Sequence, residues 1–318
     1  VILAPMAGIS DLPFRLINRS FGAPLAFTEM IDVRAISHRD KRTSSMLLSC
    51  PEDQPLGVQL LGSDVKYILP ALDVLFEHQF DILDFNAACP TPKVTRKGKG
   101  AALLRDPLKL ASILKALVQS SGMPVTVKIR TGWDAGSINA RDVALRAEDA
   151  GVSAVFIHGR TKTQGYSGEV DYKNIGVVKN ALKIPVIASG DNLSLTLIRK
   201  MFKETGCDAV ALARGTLGNP WIFRDVLEPL SQESTETKSV TISERINTIK
   251  RHFDLVIQWY GADRGVGIFH KFFIWYTRGI HGIKPLRDKA FRTNNIEALL
   301  DVINELDNRA EVSHDHIS

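Results

Sequence analysis

Short apolar runs recur along the first two thirds of the chain, and most are followed by a longer segment with helical spacing of apolar residues. The runs are rich in valine and isoleucine and almost continuously apolar, as is typical of strands buried on both faces. This pattern predicts eight strands, at 1–4, 25–29, 56–60, 81–86, 124–129, 153–158, 185–189 and 208–213. Intervening helices are predicted most clearly at 65–78, 107–121, 139–150 and 194–205.

Eight strand–helix units in succession predict a closed (βα)8 TIM barrel with parallel strands. An open, doubly wound α/β sheet is the structural alternative. That fold normally carries a glycine-rich dinucleotide turn after its first strand, whereas this chain has Pro5-Met6-Ala7-Gly8 there. The sequence therefore favours the barrel, and we assign it to residues 1–230.

The strand pattern stops after a polar stretch, which we interpret as a linker at 231–240. Beyond it, helical periodicity covers 242–260, 266–278 and 295–308. We predict an all-α second domain at 241–318, folded as a small helical bundle.

Composition narrows the class of protein. The chain has 318 residues, of which 44% are hydrophobic and 24% charged, and its formal net charge is +5. No apolar run reaches the roughly 20 residues that span a bilayer, so we expect no membrane association. Three scattered cysteines are too few for a disulfide framework, which favours a reducing, cytoplasmic setting. No His/Cys spacing resembles a zinc site, so we predict no metal, and we take a monomer as the working expectation.

Polar side chains should gather where the predicted strands end, because barrels place their sites at that face. A single strand-end lysine or histidine is more often a surface residue. A glutamine, a lysine, a histidine and an arginine at one end of a barrel instead suit an anionic, planar, polar ligand. The residues concerned are Gln59, Asn86, Lys128, Arg130, His158 and Arg160.

Two glycine-containing turns follow the seventh and eighth strands, where barrels commonly hold a phosphate. They read Ser189-Gly190-Asp191 and Ala213-Arg214-Gly215. Either glycine, taken alone, could simply form the turn between a strand and the next helix. Together with Arg214, the two turns favour a phosphate-bearing cofactor.

The densest chemical signal is the loop that follows the fourth strand and begins at Cys89-Pro90. Its cations have no acidic residue among them until Asp106, and they are Lys93, Arg96, Lys97, Lys99 and Arg105. A basic loop over a barrel mouth suits a polyanionic substrate.

These features occur within ordered segments that resemble the tRNA-dihydrouridine synthases, and most of all their bacterial B-type subgroup, over nearly the whole chain. The resemblance is carried by residues 4–8, 29–30, 58–60, 86–100, 127–130, 157–161, 164–168, 189–191, 213–215, 219–223 and 275–279. Because the segments occur in the same order as in the family, the set as a whole is highly specific for it, although each segment alone is weak evidence.

The resemblance implies an FMN-dependent enzyme that reduces the C5–C6 double bond of a tRNA uridine. NADPH would reduce FMN, hydride would pass from flavin N5 to uracil C6, and Cys89 would protonate C5. The implied flavin contacts are Pro5, Met6, Ala7, Gln59, Lys128, His158, Ser189, Gly190, Asp191, Ala213, Arg214 and Gly215. The implied substrate and RNA contacts are Asn86, Lys93, Lys97, Arg130, Arg160, Lys271, Arg278 and Arg287.

One departure from the family pattern has a structural consequence. The family usually has glycine immediately before the cysteine, where this chain has Ala88. If that position requires a positive φ, alanine would be strained there.

Two other functions stay open at this point. A flavin barrel could act on a free small molecule such as dihydroorotate, or a cofactor-free barrel could serve only in RNA binding. The sequence does not specify the uridine that is reduced or the choice between NADPH and NADH.

Overall fold

The computed structural model describes residues 1–227 and 239–314. Most of the predicted linker at 231–240 lies outside the described residues, so the domain boundary at 230 stays a prediction. Within the described residues the chain forms two compact units. The first comprises Val1–Arg15 and Ala23–Arg214, and the second comprises Leu16–Gly22 and Gly215–Ser318.

Eight parallel strands form one sheet in the order β1-β8-β7-β6-β5-β4-β3-β2. The Leu3 N–H donates to the Leu25 carbonyl at 2.9 Å, which links β1 to the segment leading into β2 and brings the two edges together. The strands are β1 Ile2–Leu3, β2 Ala26–Asp32, β3 Leu56–Leu61, β4 Ile82–Asn86, β5 Val125–Arg130, β6 Ala154–His158, β7 Val186–Ser189 and β8 Ala209–Leu212. The predicted barrel and all eight of its strands are confirmed.

Helices alternate with these strands and continue beyond them. They are α1 Leu12–Ser20, α2 Val33–Ser37, α3 Lys41–Ser44, α4 Ile68–Leu75, α5 Pro92–Thr95, α6 Pro107–Ser120, α7 Ala140–Asp149, α8 Tyr172–Ala181, α9 Leu195–Thr205, α10 Ile222–Leu227, α11 Ile242–Tyr260, α12 Ala262–Tyr276, α13 Lys284–Arg292 and α14 Ile296–His314. Short 3-10 turns precede α4 and α6.

Local signals explain where several of these helices begin and end. The Ser194 hydroxyl accepts from the Leu197 N–H at 3.3 Å at the start of α9, and Gly206 ends that helix in the left-handed conformation. The predicted helix at 65–78 is shorter than expected, because its first turn is 3-10 and the α-helix ends at Leu75. Helix α13 was not predicted, since Pro285 and its many charges mask the apolar spacing, although proline is well tolerated in a first turn.

The interior of the barrel is filled by side chains. One cluster of buried residues combines aromatic rings with alanines from different strands, and Phe27 and Phe156 meet edge to face at 5.5 Å. Its buried members are Ala4, Phe27, Ala154, Phe156, Ile187 and Ala211. A filled barrel leaves the strand ends and their loops as the place for a ligand.

The second unit is helical in its described part. Helices α11 and α12 are joined at Gly261, which has a φ of +74°, and they share a core of phenylalanines that includes Phe253, Phe269 and Phe273. A side chain at Gly218 would clash with the Trp275 carbonyl at 2.2 Å, so glycine is required where the two backbones meet. No helix in residues 1–227 and 239–314 is long and apolar enough to cross a membrane.

Candidate active site

A chain of hydrogen bonds runs from inside the barrel to the backbone of Cys89. The Asp84 carboxylate accepts from Gln59 Nε2 at 2.7 Å, and Gln59 Oε1 accepts from Asn86 Nδ2 at 2.9 Å. Asn86 Oδ1 then accepts from the N–H groups of Ala88 at 3.0 Å and Cys89 at 2.8 Å. Because backbone N–H groups can only donate, they fix the orientation of both amides, and Asp84 must accept at the far end.

Asp84 meets this requirement as an ionised carboxylate. Its second oxygen accepts from Thr126 Oγ1 at 2.7 Å. Burial raises its pKa to about 6, while the hydrogen bonds from Gln59 and Thr126 and the charge of Lys128 act in the opposite direction. At neutral pH the carboxylate is therefore ionised and can accept both bonds.

Cys89 lies half-buried at the start of the basic loop, with its Sγ 3.3 Å from Thr91 Oγ1. The loop folds back on it, since the Cys89 carbonyl accepts from the Ala101 N–H at 3.0 Å. Gly100 has a φ of +59°, and a Cβ there would lie 2.7 Å from that carbonyl, so glycine is required. In residues 1–227 and 239–314, positive φ outside glycine occurs only at Arg39 and Asp191, so Ala88 is unstrained.

Arg130 holds the backbone of the loop around Cys89 through hydrogen bonds from its guanidinium group. It is 3% exposed, and its Nε donates to the Ala88 carbonyl at 2.7 Å. Its Nη1 donates to the carbonyls of Thr161 at 2.9 Å and Gly165 at 2.8 Å. Burial lowers its pKa to about 10, which still leaves it charged. The predicted role of Arg130 in RNA contact stays a prediction, and the contacts shown are to backbone.

Lys128 and His158 lie on neighbouring strands at the barrel mouth, and both approach Ser189. Lys128 Nζ is 3.4 Å from Ser189 Oγ, and burial lowers its pKa to about 8, partly offset by the charge of Asp84. His158 Nδ1 is also 3.4 Å from Ser189 Oγ. Burial, followed by four nearby cations, holds the pKa of His158 well below its ordinary value, so the ring is neutral.

Asp191 joins two arginines beside the predicted phosphate turn. One carboxylate oxygen pairs with Arg160 and the other with Arg214, and the hydrogen bond from Arg160 is the main cause of its lowered pKa. Two guanidinium cations against one carboxylate leave one net positive charge. Asp191 has a φ of +48° and follows Gly190 at +143°, which turns this backbone sharply at the end of β7.

Tyr166 is a site residue that the sequence analysis did not assign. The residue is 58% exposed, and the guanidinium carbons of Arg130 and Arg214 lie 5.6 and 5.0 Å from the centroid of its ring. His158 meets it edge to face at 6.1 Å. Its position within the family-like segment 164–168 was the only signal. Asp84 and Thr126 were missed because they lie inside predicted strands and resemble ordinary strand residues.

The cations of the basic loop have different surroundings. Lys93, Arg96 and Lys97 are exposed, whereas Lys99 is half-buried and pairs with Asp32. The field at the loop is therefore weaker than its composition predicts. Lys93 and Lys97 remain available to an anionic substrate.

The predicted RNA contacts of the helical unit also differ from one another. Arg278 is exposed, while Arg287 donates to Thr277 Oγ1 at 2.9 Å and to the Ile274 carbonyl at 3.1 Å. Lys271 Nζ lies 4.7 Å from the Phe272 ring centroid. Arg287 is thus tied to the C-terminal end of α12, and Lys271 lies against the next residue of its own helix, so RNA contact by all three stays a prediction.

The remaining predicted flavin residues follow β1 and β8. Pro5 and Met6 are partly exposed and Ala7 is exposed, in a turn where the Gly8 N–H donates to the Glu29 carboxylate. Ala213 follows β8 and precedes Arg214, and Gly215 is the next residue, at the start of the second unit.

Two buried polar atoms at the barrel mouth have no hydrogen-bond partner in the described part of the chain, and they indicate whether these residues could accommodate a flavin phosphate. His158 Nε2 and Arg160 Nη1 are shielded from solvent and have no hydrogen-bond partner among residues 1–227 and 239–314. Unpaired buried polar atoms are costly, and two of them around the Gly190 turn fit a polar, anionic group bound there. Over the same described residues, no group of three His, Cys, Asp or Glu side chains could hold a metal ion.

Fold and site together define a (βα)8-barrel protein with a half-buried thiol, Cys89, and several cations at the ends of its strands. The chain matches the family described as dihydrouridine synthase (Dus) over residues 2–311, and it belongs to that family. The resemblance stated from the sequence is confirmed.

Similar proteins agree with this assignment. The chain is 39% identical over 291 residues to tRNA-dihydrouridine synthase B of Pasteurella multocida (strain Pm70), covering 92% of this chain and 87% of that protein. It is 38% identical over 300 residues to tRNA-dihydrouridine synthase B of Pseudomonas aeruginosa, covering 94% and 90%. The probable tRNA-dihydrouridine synthase of Rickettsia typhi is 38% identical over 282 residues, covering 88% and 86%.

Among solved structures, histamine dehydrogenase from Rhizobium sp. 4-9 resembles this chain with a TM-score of 0.55. The match covers 80% of this chain and 48% of that one, at 13% sequence identity. At this identity the likeness concerns the barrel fold alone.

Proposed function

We propose that this protein reduces the C5–C6 double bond of a specific tRNA uridine to dihydrouridine, with Cys89 as the proton donor to C5. The observation that carries the proposal is the hydrogen-bonded chain from Asp84 to the backbone of Cys89. It fixes a half-buried thiol beside the barrel mouth, on a loop that carries exposed cations. Family membership supplies the reaction class.

The cofactor proposed for this site is FMN, with NADPH as the reductant. The turn at Gly190 and the side chain of Arg214 would hold its phosphate, and His158 would donate or accept along the ribityl chain. Arg160, whose implied role is substrate contact, pairs with Asp191 beside this turn. When bound, the flavin supplies the hydride for uracil C6.

The remaining chemistry belongs to the side chains of this protein. Lys128, with a pKa of about 8, is mostly protonated at neutral pH and places a cation where negative charge develops. The Asp84 chain holds the Cys89 backbone, and Arg130 holds the neighbouring Ala88 carbonyl. With the backbone of this loop held in place, Cys89 Sγ would deliver its proton to C5.

The phosphate assignment predicts a selective loss of affinity. Arg214→Ala should weaken FMN binding to the flavin-free protein by about tenfold to a hundredfold, because a charged hydrogen bond to the phosphate is lost. Riboflavin, which has no phosphate, should bind Arg214→Ala and wild type equally. Flavin fluorescence titration measures both affinities, and equal losses for the two ligands would contradict the assignment.

Mapping dihydrouridine in tRNA from cells that lack this protein tests the proposed function. One or a few uridine positions should lose the modification, and the wild-type gene should restore it. An unchanged map would contradict the proposal. If the purified protein instead reduced free uridine or orotate without RNA, a small-molecule reductase would replace it.

A further inference from the structure

A second pocket opens at the same end of the barrel as Cys89 and has no part in the chemistry described above. Its volume is about 460 Å³. Its lining residues are Leu104, Arg105, Trp133, Asp134, Ser137 and Asn139. They come from the end of the basic loop and from the loop that follows β5.

The pocket is built from tightly held backbone. A Cβ at Gly132 would lie 2.3 Å from the Ser137 carbonyl, so only glycine allows the loop after β5 to fold back on itself. The Asn139 Nδ2 donates to the Leu104 carbonyl at 2.7 Å, which joins this loop to the basic loop. The Lys162 N–H donates to the Gly132 carbonyl at 2.9 Å, and this bond connects the loop after β6 to the loop after β5.

Two cations contact the ring of Trp133, which lines this pocket: Arg105, which also lines it, and Lys162, which comes from the loop after β6. The guanidinium carbon of Arg105 lies 5.0 Å from the Trp133 ring centroid, and Lys162 Nζ lies 4.4 Å from it. In the described part of the chain, neither cation has a carboxylate partner. The nearby Asp134 uses its Oδ1 to accept from Ser137 Oγ at 2.7 Å and from the Gly136 N–H at 3.1 Å.

We propose that this pocket binds a phosphate of the RNA strand beside the uridine that is reduced. The ring of Trp133 holds Arg105 and Lys162 in fixed positions, so less side-chain freedom is lost when they meet a phosphate. The inference rests on the proposed function, because it assigns a further contact to the same substrate.

A phosphate could also come from the nicotinamide dinucleotide, but the position of the cations favours RNA. Arg105 ends the same loop that begins at Cys89 and carries the exposed Lys93 and Lys97. Cations spread along one loop suit a continuous phosphodiester strand better than a single nucleotide.

The test compares Arg105→Ala/Lys162→Ala with Lys183→Ala/Lys203→Ala, which removes the same charge. Both control lysines are exposed and lie next to the opposite ends of the strands, before β7 and near the end of α9. The Kd for a tRNA transcript is measured by fluorescence anisotropy at several salt concentrations. The pocket variant should bind about tenfold more weakly, and its salt slope should fall by about 1, since its contact with one phosphate is lost.

Trp133 supplies a second comparison that retains both charges. Trp133→Leu should weaken tRNA binding, while Trp133→Phe, which keeps a ring face, should bind close to wild type. Equal affinity of the pocket and control variants for tRNA would overturn the inference.

The alternative, that the pocket binds a phosphate of the nicotinamide dinucleotide, is tested by a separate measurement. The rate of flavin reduction by NADPH, measured without RNA, should be the same in wild type and pocket variant. A raised KM for NADPH with unchanged tRNA affinity would assign the pocket to the dinucleotide and overturn the RNA site. A wild-type protein that binds tRNA but forms no dihydrouridine would instead contradict the proposed function and leave the pocket result valid.

Discussion

Replacing Cys89 by alanine is expected to lower the rate of dihydrouridine formation on tRNA by about a hundredfold or more, because the proton donor to C5 is lost. Hydride transfer from NADPH to the flavin should be unaffected, since the thiol has no part in that step. Stopped-flow absorbance measures flavin reduction, and mass spectrometry of tRNA measures the product.

A matched control is available in the same chain. Cys50 is also a free, half-buried thiol, and it lies outside the hydrogen-bonded site. Cys50→Ala should retain both half-reactions. Near-normal product formation by Cys89→Ala would remove Cys89 from its proposed role.

Replacing Asp84 by alanine is expected to reduce turnover by about tenfold or more, although Asp84 lies inside the barrel and is proposed to act only through Gln59 and Asn86. Without an acceptor at position 84, Gln59 Nε2 loses its partner, so the inner end of the hydrogen-bonded chain is no longer held. The unpaired buried donor should also cost about 1–3 kcal/mol in the free energy of unfolding. Chemical denaturation measures this loss independently of activity.

Asp84→Asn should restore most of the lost activity. Its amide oxygen can still accept from Gln59, and its amide nitrogen can donate to the Thr126 hydroxyl, which is able to accept. If Asp84→Asn is as impaired as Asp84→Ala, the charge of Asp84 matters more than the direction of the hydrogen bonds.

The raised pKa of Asp84 predicts an acid limb in the pH profile of turnover, centred near pH 6. Below that pH the protonated carboxyl donates to Thr126 and accepts only from Gln59, as the Asp84→Asn amide does, so turnover should fall to the level of that variant and no further. The folded state binds this proton more tightly than the unfolded chain, whose reference pKa is 3.8. As pH falls from 6 toward 3.8, Asp84 therefore increases the free energy of unfolding. The acid limb should then reflect a loss of turnover, because protonation of Asp84 does not unfold the protein. Asp84→Asn should lack it.

The barrel could be predicted from the sequence because parallel strands buried on both faces leave a strong signal. Ala154–His158 and Val186–Ser189 are apolar almost throughout and are separated by helix α8. Helix α13 was harder to predict, since Lys284–Arg292 gains its buried contacts through only two fully buried residues, Leu286 and Ala290.

The site could be predicted only in part. Strand-end positions located Lys128, His158 and Arg214, because barrel topology alone brings such positions together. The pairing of Asp191 with two arginines and the direction of the Asp84 chain depend on three-dimensional side-chain geometry. Spacing along the chain carries no information about them.

Incubation of the purified protein with FMN, NADPH and an unmodified tRNA transcript tests the central claim most directly. Mass spectrometry of nuclease digests should show two added hydrogen atoms on one or a few uridines, and none on free uridine under the same conditions. A transcript that stays unreduced while the flavin is reduced by NADPH, or reduction of free uridine at the same rate, would contradict the account.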